Sequence, residues 1–514
     1  MLKQQKATVF FQRTRVTLAS SFPTSSKLAK MAAENEHVNT SQIKQNRETR
    51  PPSVYFPLGY KEAAYQWWTS VTPSMVERKV LSFIPTLREA ADSAANPNAS
   101  STPDPFGTRV WRRTLVPLSG KNRALNEVCV EKIGEKTDET LVVVHGYGAG
   151  LGFFYKNLEP ISRMPGLKLY ALDMLGMGNS SRPAFRIHAK DKEKQVIEAE
   201  DWFVDALEEW RQKRKIERFT LLGHSLGGYL AVSYALKYPG HLKKLILASP
   251  VGIPEDPYAV NASMPDPDES TLENEFTQDQ KQVTENGHDT AQAAKAAAAA
   301  AASPKADSAQ PAAPKRPIPS WLVWLWDANV SPFSIIRMTG PLGPRFVSGW
   351  TSRRFNHLPG PEAQALHDYA FSIFKQKGSG EYALAYILAP GAYARRPVIN
   401  RIQDVGRQPL PRTSSSNALA KKETGFPIVF MYGENDWMDV AGGLASEEKL
   451  KRAQADALAG ATDEERRAEN GSVKVVIVPK AGHHLYLDNA AFFNDALQKE
   501  MDDVVATSKK NNDY

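Results

Sequence analysis

Phe219-Thr220-Leu221-Leu222-Gly223-His224-Ser225-Leu226-Gly227-Gly228-Tyr229-Leu230-Ala231-Val232-Ser233-Tyr234 is the stretch on which the reading of this chain turns. Its first four residues form a short apolar run, the pattern of a strand buried on both faces. Gly223 to Gly227 then spells G-x-S-x-G, and the residues from Gly228 onward suit a helix. Strand, motif and helix in that order hold a serine on a tight turn at the carboxyl edge of a sheet, where side chains at 223 and 227 would collide with neighbouring elements. Ser225 is therefore the candidate nucleophile.

A serine hydroxyl reacts poorly at neutral pH unless a base takes its proton and a third group fixes that base. On this kind of sheet the partners follow in the order serine, acid, histidine. Tyr432-Gly433-Glu434-Asn435-Asp436-Trp437-Met438 follows the apolar run Ile428 to Met431. Ala481-Gly482-His483-His484-Leu485-Tyr486 follows the run Val473 to Val478. Asp436 is read as the orienting acid and His483 as the base, with Asp439 and Glu434 as rivals for the first role and His484 for the second. The charge that builds on a tetrahedral carbonyl oxygen needs donors fixed in advance. The backbone N–H groups of Leu226 and Tyr147 are the candidates, the latter in His145-Gly146-Tyr147-Gly148-Ala149-Gly150 after another strand. His145 reads as a tie within that loop. Gly146-x-Gly148-x-Gly150 lacks the G-x-G-x-x-G spacing of a dinucleotide site.

Outward from these motifs, apolar runs at 141–144, 167–172, 219–222, 245–248, 428–431 and 473–478 alternate with helical segments, which predicts an α/β fold with a mostly parallel sheet. Arg109 to Val116 and Glu127 to Val130 read as an opening antiparallel pair. The rhythm stops between 254 and 424, read as an inserted helical lid. Within it, 262–318 is acidic, then Ala-rich, then Pro-rich, and is expected to be disordered. The organisation expected is a leader (1–50), an amphipathic membrane-proximal segment (51–104), the first core part (105–253), the lid insertion (254–424) and the second core part (425–505).

The chain has 514 residues, 64 Lys and Arg against 57 Asp and Glu, and a net charge of +7. Six of those cations fall in the first 33 residues, which contain no acid, so little excess remains for a phosphate-binding stripe and nucleic acid is set aside. A basic, Ser-containing, acid-free start is the composition of a mitochondrial transit peptide, with a basic cytosolic tail as the alternative. The one cysteine, Cys129, excludes a disulfide framework and a Cys-ligated metal site. No run is long and apolar enough to span a bilayer as a helix. Tyr65-Gln66-Trp67-Trp68 and Trp321-Leu322-Val323-Trp324-Leu325-Trp326 suit the headgroup boundary, or else helices packed on the core.

His145-Gly146-Tyr147-Gly148, Asp173-Met174-Leu175-Gly176-Met177-Gly178-Asn179-Ser180-Ser181-Arg182-Pro183, the Gly223 to Gly228 turn and Pro250-Val251-Gly252-Ile253-Pro254 stand in register. Together they resemble the α/β-hydrolase family that includes the fungal mitochondrial cardiolipin-specific deacylase and the lipid-droplet lipase coactivator. The resemblance implies an α/β-hydrolase fold and a serine acyl hydrolase that deacylates phospholipid, cardiolipin first, at the mitochondrial inner membrane without metal or organic cofactor. Lysophosphatidic acid acyl transfer and a non-catalytic coactivator role are the alternatives. The coactivator branch carries asparagine at the nucleophile position, whereas this chain has Ser225. His483 to Asp488 also spells H-x-x-x-x-D, sometimes read as an acyltransferase signature, though Asp488 is placed to cap a helix beginning at Asn489.

Overall fold

The computed structural model describes residues 57–69, 71–90, 104–256, 324–326, 328–410 and 421–512. The basic leader and the low-complexity stretch 262–318 lie outside them. Strands β1 (Arg88–Glu89), β2 (Arg109–Pro117), β3 (Ala124–Lys132), β4 (Glu139–Val144), β5 (Leu167–Leu172), β6 (Phe219–His224), β7 (Leu242–Ala248), β8 (Pro427–Gly433) and β9 (Ser472–Val478) form one sheet. Its spatial order is β1-β2-β3-β5-β4-β6-β7-β8-β9. β3 runs antiparallel to both β2 and β5, and every other pair is parallel. This is the α/β-hydrolase arrangement expected from the alternation of apolar runs and helices.

Period-two alternation divides each central strand between two cores. In β4, Leu141 and Val143 face one cluster while Val142 and Val144 face the other; in β8, Val429 and Met431 part in the same way from Ile428 and Phe430. Helices α1 (Tyr60–Trp68), α2 (Pro73–Leu81), α3 (Tyr155–Ile161), α4 (Lys192–Lys213), α5 (Leu226–Lys237), α6 (Pro332–Met338), α7 (Gly343–Arg354), α8 (Gly360–Phe374), α9 (Val440–Leu458) and α10 (Ala490–Asn512) cover these faces. Phe203 and Trp210 of α4 and Tyr229 of α5 fill one core. Leu158 of α3 and Leu497 of α10 fill the other, which continues into Tyr369 and Phe371 of α8.

Between β7 and β8 lie α6, α7 and α8, the helical insertion read from the broken rhythm. The N-terminal pair α1 and α2 packs onto it: Val76, Val80 and Leu81 join the same buried cluster as Leu366 and Ala370 of α8. In the described part of the segment read as membrane-proximal, α1 and α2 turn one face into the fold. The outer face is bare, Trp68 being 81% and Tyr65 71% exposed, and Ile335, Met338 and Phe346 of α6 and α7 are exposed as well. Among the described residues no helix is long and apolar enough to cross a membrane.

His367 of α8 sits at this junction, fully buried, with Thr351 Oγ1 of α7 at 2.9 Å from Nδ1 and Gln66 Oε1 of α1 at 3.0 Å from Nε2. Burial disfavours its charged form and pushes its pKa down to about 3. A histidine held neutral in the fold binds a proton when the chain unfolds, so its contribution is complete above pH 6.5 and is lost on acidification below it. Relative to a His367→Gln variant, the wild type should lose about 2 kcal/mol between pH 6.5 and 4.5. Urea unfolding of both proteins across that range measures the difference; a constant gap contradicts the assignment.

Candidate active site

β6 ends at His224 and α5 begins at Leu226, so Ser225 alone makes the turn. It adopts φ 53° and ψ −118°, a left-handed conformation unfavourable for a residue with a Cβ and of the kind that fixed surroundings maintain at functional sites. Those surroundings are explicit. The Ser225 N–H donates to the Ala248 carbonyl at 3.0 Å, and its own carbonyl accepts from Gly228 at 2.9 Å. A Cβ on Gly223 would lie 2.3 Å from the Gly227 carbonyl oxygen, and one on Gly227 would lie 2.5 Å from that of His145. Both positions need glycine because backbone passes against backbone there.

Asp436 and His483 stand in the loops after β8 and β9, and the structure brings them together, with His483 Nδ1 3.2 Å from Asp436 Oδ1. The aspartate side chain is fully buried. Its Oδ1 also accepts from the Met438 N–H at 3.0 Å, and its Oδ2 accepts the hydroxyl of Ser249, the residue after β7. His224 Nε2 lies 2.9 Å from the His483 carbonyl oxygen and donates to it, which fixes the main chain of the second histidine. Neither Ser249 nor His224 was singled out as a support residue by sequence reading.

The rival residues are engaged elsewhere. Asp439 caps α9 by accepting from Ala441 N–H at 2.8 Å, Glu434 accepts from Lys480 N–H at 2.8 Å, and His484 Nδ1 accepts from Arg354 Nε at 3.0 Å. One expectation needs correcting. Asp488 does not cap α10; Asn489 does, its Oδ1 accepting from Phe492 N–H at 3.2 Å. The Asp488 oxygens instead take Arg354 Nη1 at 2.9 Å and the Gly482 N–H at 3.0 Å, which clamps the lid helix α7 to the loop carrying His483. The H-x-x-x-x-D spacing is accounted for by that clamp.

Tyr147 stacks on Phe333 of the lid with ring centres 5.1 Å apart. Its loop is pressed against the serine: a Cβ on Gly146 would lie 2.9 Å from Ser225 Cβ, and one on Gly148 would lie 2.9 Å from the Phe333 ring. His145 acts as a tie. Met174 N–H donates to its Nε2 at 3.1 Å, so Nδ1 carries the proton and donates to the Gly146 carbonyl at 2.7 Å. Burial lowers its pKa to about 4 and keeps it neutral. Leu226 is the first residue of α5, and its N–H is one of those that a helix start leaves without an intrahelical acceptor.

Tyr147, Ser225, Phe333, Trp350, Trp437 and His483 line one cavity of about 50 Å³. That volume is far below the roughly 300 Å³ at which small-molecule sites begin. Ser225 and His483 are only 6% and 5% exposed, so the helical insertion covers the serine, with Phe333 of α6 and Trp350 of α7 lining the small cavity above it. A larger cavity of about 490 Å³ lies at the opposite, amino-terminal ends of β7, β8 and β9. Its charges pair with one another, Lys244 and Lys474 both on Glu500, and ligands of parallel sheets bind at the carboxyl ends instead. Burial pushes the Cys129 thiol up to about 12, which makes it unreactive.

A family model described as alpha/beta hydrolase fold matches residues 139–490. A 1-acylglycerol-3-phosphate O-acyltransferase of Arabidopsis thaliana is 29% identical, over 76% of this chain and 72% of its own length. A (lyso)-N-acylphosphatidylethanolamine lipase of Homo sapiens is also 29% identical, over 72% of this chain and 81% of its own length. The 1-acylglycerol-3-phosphate O-acyltransferase ICT1 of Saccharomyces cerevisiae is 24% identical, over 78% and 87%.

Proposed function

Since the chain belongs to the alpha/beta hydrolase family, we propose that it is a serine acyl hydrolase acting on phospholipid esters, with Ser225 as nucleophile, His483 as base and Asp436 as the group that orients the base. The observation that carries this reading is the hydrogen bond from His483 Nδ1 to buried Asp436, made at the rim of the cavity that holds Ser225. With Nδ1–H committed to the carboxylate, Nε2 is left as the basic nitrogen. Ser225 Oγ attacks the ester carbonyl while its proton passes to Nε2. The N–H groups of Tyr147 and Leu226 receive the oxyanion, collapse expels the lyso-lipid alkoxide with the proton returned from Nε2, and water then cleaves the acyl-enzyme by the same route.

The aromatic lining of the cavity and the lid above it suit an acyl chain. The bare outer faces of α1, α2, α6 and α7 suit a membrane surface, where the substrate resides. Cardiolipin is the phospholipid we propose first, and the basic leader supports action at the mitochondrial inner membrane, with cytosol or lipid droplet as the alternative address. Acyl transfer to lysophosphatidic acid is the second reading, favoured by the acyltransferase activity for which the plant and yeast relatives are named. It uses the same acyl-enzyme, with the lysophospholipid hydroxyl in place of water.

A fluorophosphonate probe should label Ser225, and the purified protein should release labelled fatty acid from phospholipid vesicles. Label appearing in phosphatidic acid when lysophosphatidic acid is added selects the transfer reading. Absence of both probe labelling and product rejects the serine mechanism.

A further inference from the structure

The loop that carries Tyr147 continues into Gly150-Leu151-Gly152, and two buried acceptors from distant parts of the chain hold that continuation. The Leu151 N–H donates to Asp173 Oδ1 at 2.7 Å, and the Gly152 N–H donates to the Tyr369 hydroxyl of α8 at 3.2 Å. Both acceptors are tied to one carboxylate, Glu77 of α2. The Tyr369 hydroxyl donates to Glu77 Oε2 at 3.2 Å. The side-chain nitrogen of Asn126 donates to Glu77 at 3.1 Å and to Asp173 Oδ2 at 2.8 Å. Asn179 makes the same bridge, its side chain reaching Glu77 Oε2 and its N–H reaching Asp173 Oδ2, both at 2.7 Å. Arg113 Nε completes the set, 2.6 Å from Glu77 Oε1.

Glu77, Asp173, Asn126 and Tyr369 are all buried, none leaving any measurable surface. Two carboxylates thus share one interior cluster with a single guanidinium in contact. Burial and the charge of Asp173 push Glu77 up to about 7 against the bonds from Arg113 and Asn126. An apolar residue at this point of α2 would stabilise its packing at less cost, and Val76, Val80 and Leu81 already supply that packing. The contacts of Glu77 go to the groups that hold the catalytic loops.

We propose that Glu77 is a positioning residue: acting through Tyr369 and Asp173, it sets the oxyanion loop and makes turnover depend on the docking of the N-terminal helix α2. The inference rests on the reading of the Tyr147 N–H as an oxyanion donor. It gives the lid helix α8 and the membrane-facing pair α1 and α2 a direct line to the reacting centre.

The test uses the full chain, a short soluble ester and a trifluoromethyl ketone that adds reversibly to the serine. Glu77→Gln and Tyr369→Phe should each lower kcat per titrated active site roughly tenfold, a fraction of what complete loss of an oxyanion donor costs, with KM within about twofold. Affinity for the ketone should fall in parallel, and the double variant should lose little more than either single one, because both act through one loop. Tyr369→Phe keeps the ring packing, so it remains informative should Glu77→Gln fold poorly. A lowered melting temperature with kcat per site unchanged overturns the inference and leaves the serine mechanism intact. A wild type that neither titrates with the ketone nor turns over ester overturns both.

Discussion

Ser225→Ala is expected to lower ester turnover by roughly 10⁶, the loss seen when the nucleophile of a serine hydrolase is removed and only binding and oxyanion stabilisation remain. The size of the effect follows from what alanine cannot do: without Oγ there is no acyl-enzyme, and attack must come from water, which lacks a preformed place beside His483. The fold should be indifferent to the change. The bonds that hold residue 225 run from its N–H to Ala248 and to its carbonyl from Gly228, and alanine keeps both. Alanine also meets the positive φ on the same terms as serine, since each carries one Cβ. Turnover measured on a phospholipid and on a short soluble ester, with thermal unfolding as the control, checks the prediction. Turnover within tenfold of wild type at an unchanged unfolding temperature assigns the chemistry elsewhere.

The parts of the site that could be read from the sequence are those whose geometry is local. The strand, turn and helix around Ser225 lie within the nineteen consecutive residues Phe219 to Lys237, and the need for glycine at 223 and 227 comes from backbone packing within that unit and against the neighbouring His145 loop. Asp436 and His483 stood out as candidates because each follows an apolar strand, which sets its position at the sheet edge whatever the rest of the chain does. Ser249 escaped because its only signal is contact with Asp436, 187 positions away. Glu77 escaped for a stronger reason. On an amphipathic helix a glutamate reads as the wet face, and this one is buried only because Arg113, Asn126 and Asn179 arrive from other elements to meet it. Asp488 was misplaced by one residue of capping geometry: both Asp488 and Asn489 suit an N-cap, and the choice was made by Arg354 of the lid, which takes the aspartate and leaves the asparagine to the helix. The lid illustrates the same limit at larger scale. Its position in the chain was visible as a break in the strand rhythm, whereas its cover over Ser225 depends on Phe333 stacking on Tyr147 and on Trp350 and Trp437 lining one cavity from distant parts of the chain.

Asp436→Ala is expected to lower kcat by on the order of 10⁴, and the comparison with its neighbours makes the assignment sharp. Removing the carboxylate leaves His483 Nδ1–H without its acceptor, so the ring is free to turn and to carry its proton on Nε2, where it can no longer take one from Ser225. Asp436→Asn should cost less than the alanine. The Oδ1 side faces two close donors, His483 Nδ1 and Met438 N–H, while the Oδ2 side faces one distant donor, Gly433 N–H at 3.5 Å, and the Ser249 hydroxyl, which can accept as well as donate. An asparagine therefore settles with its oxygen toward the imidazole and its amide toward Ser249, keeping the useful tautomer and losing only the negative charge that stabilises the imidazolium. Ser249→Ala in that background removes the hydroxyl that selects this orientation and should carry the asparagine variant further down toward the alanine one. Asp439→Asn retains a good helix cap and Glu434→Gln retains an acceptor for Lys480 N–H, so kcat for both should stay within a few-fold of wild type. Steady-state kinetics on the six proteins orders them. A loss at Asp439 or Glu434 equal to that at Asp436 transfers the orienting role to the rival and, with it, the reason for burying a carboxylate under His483.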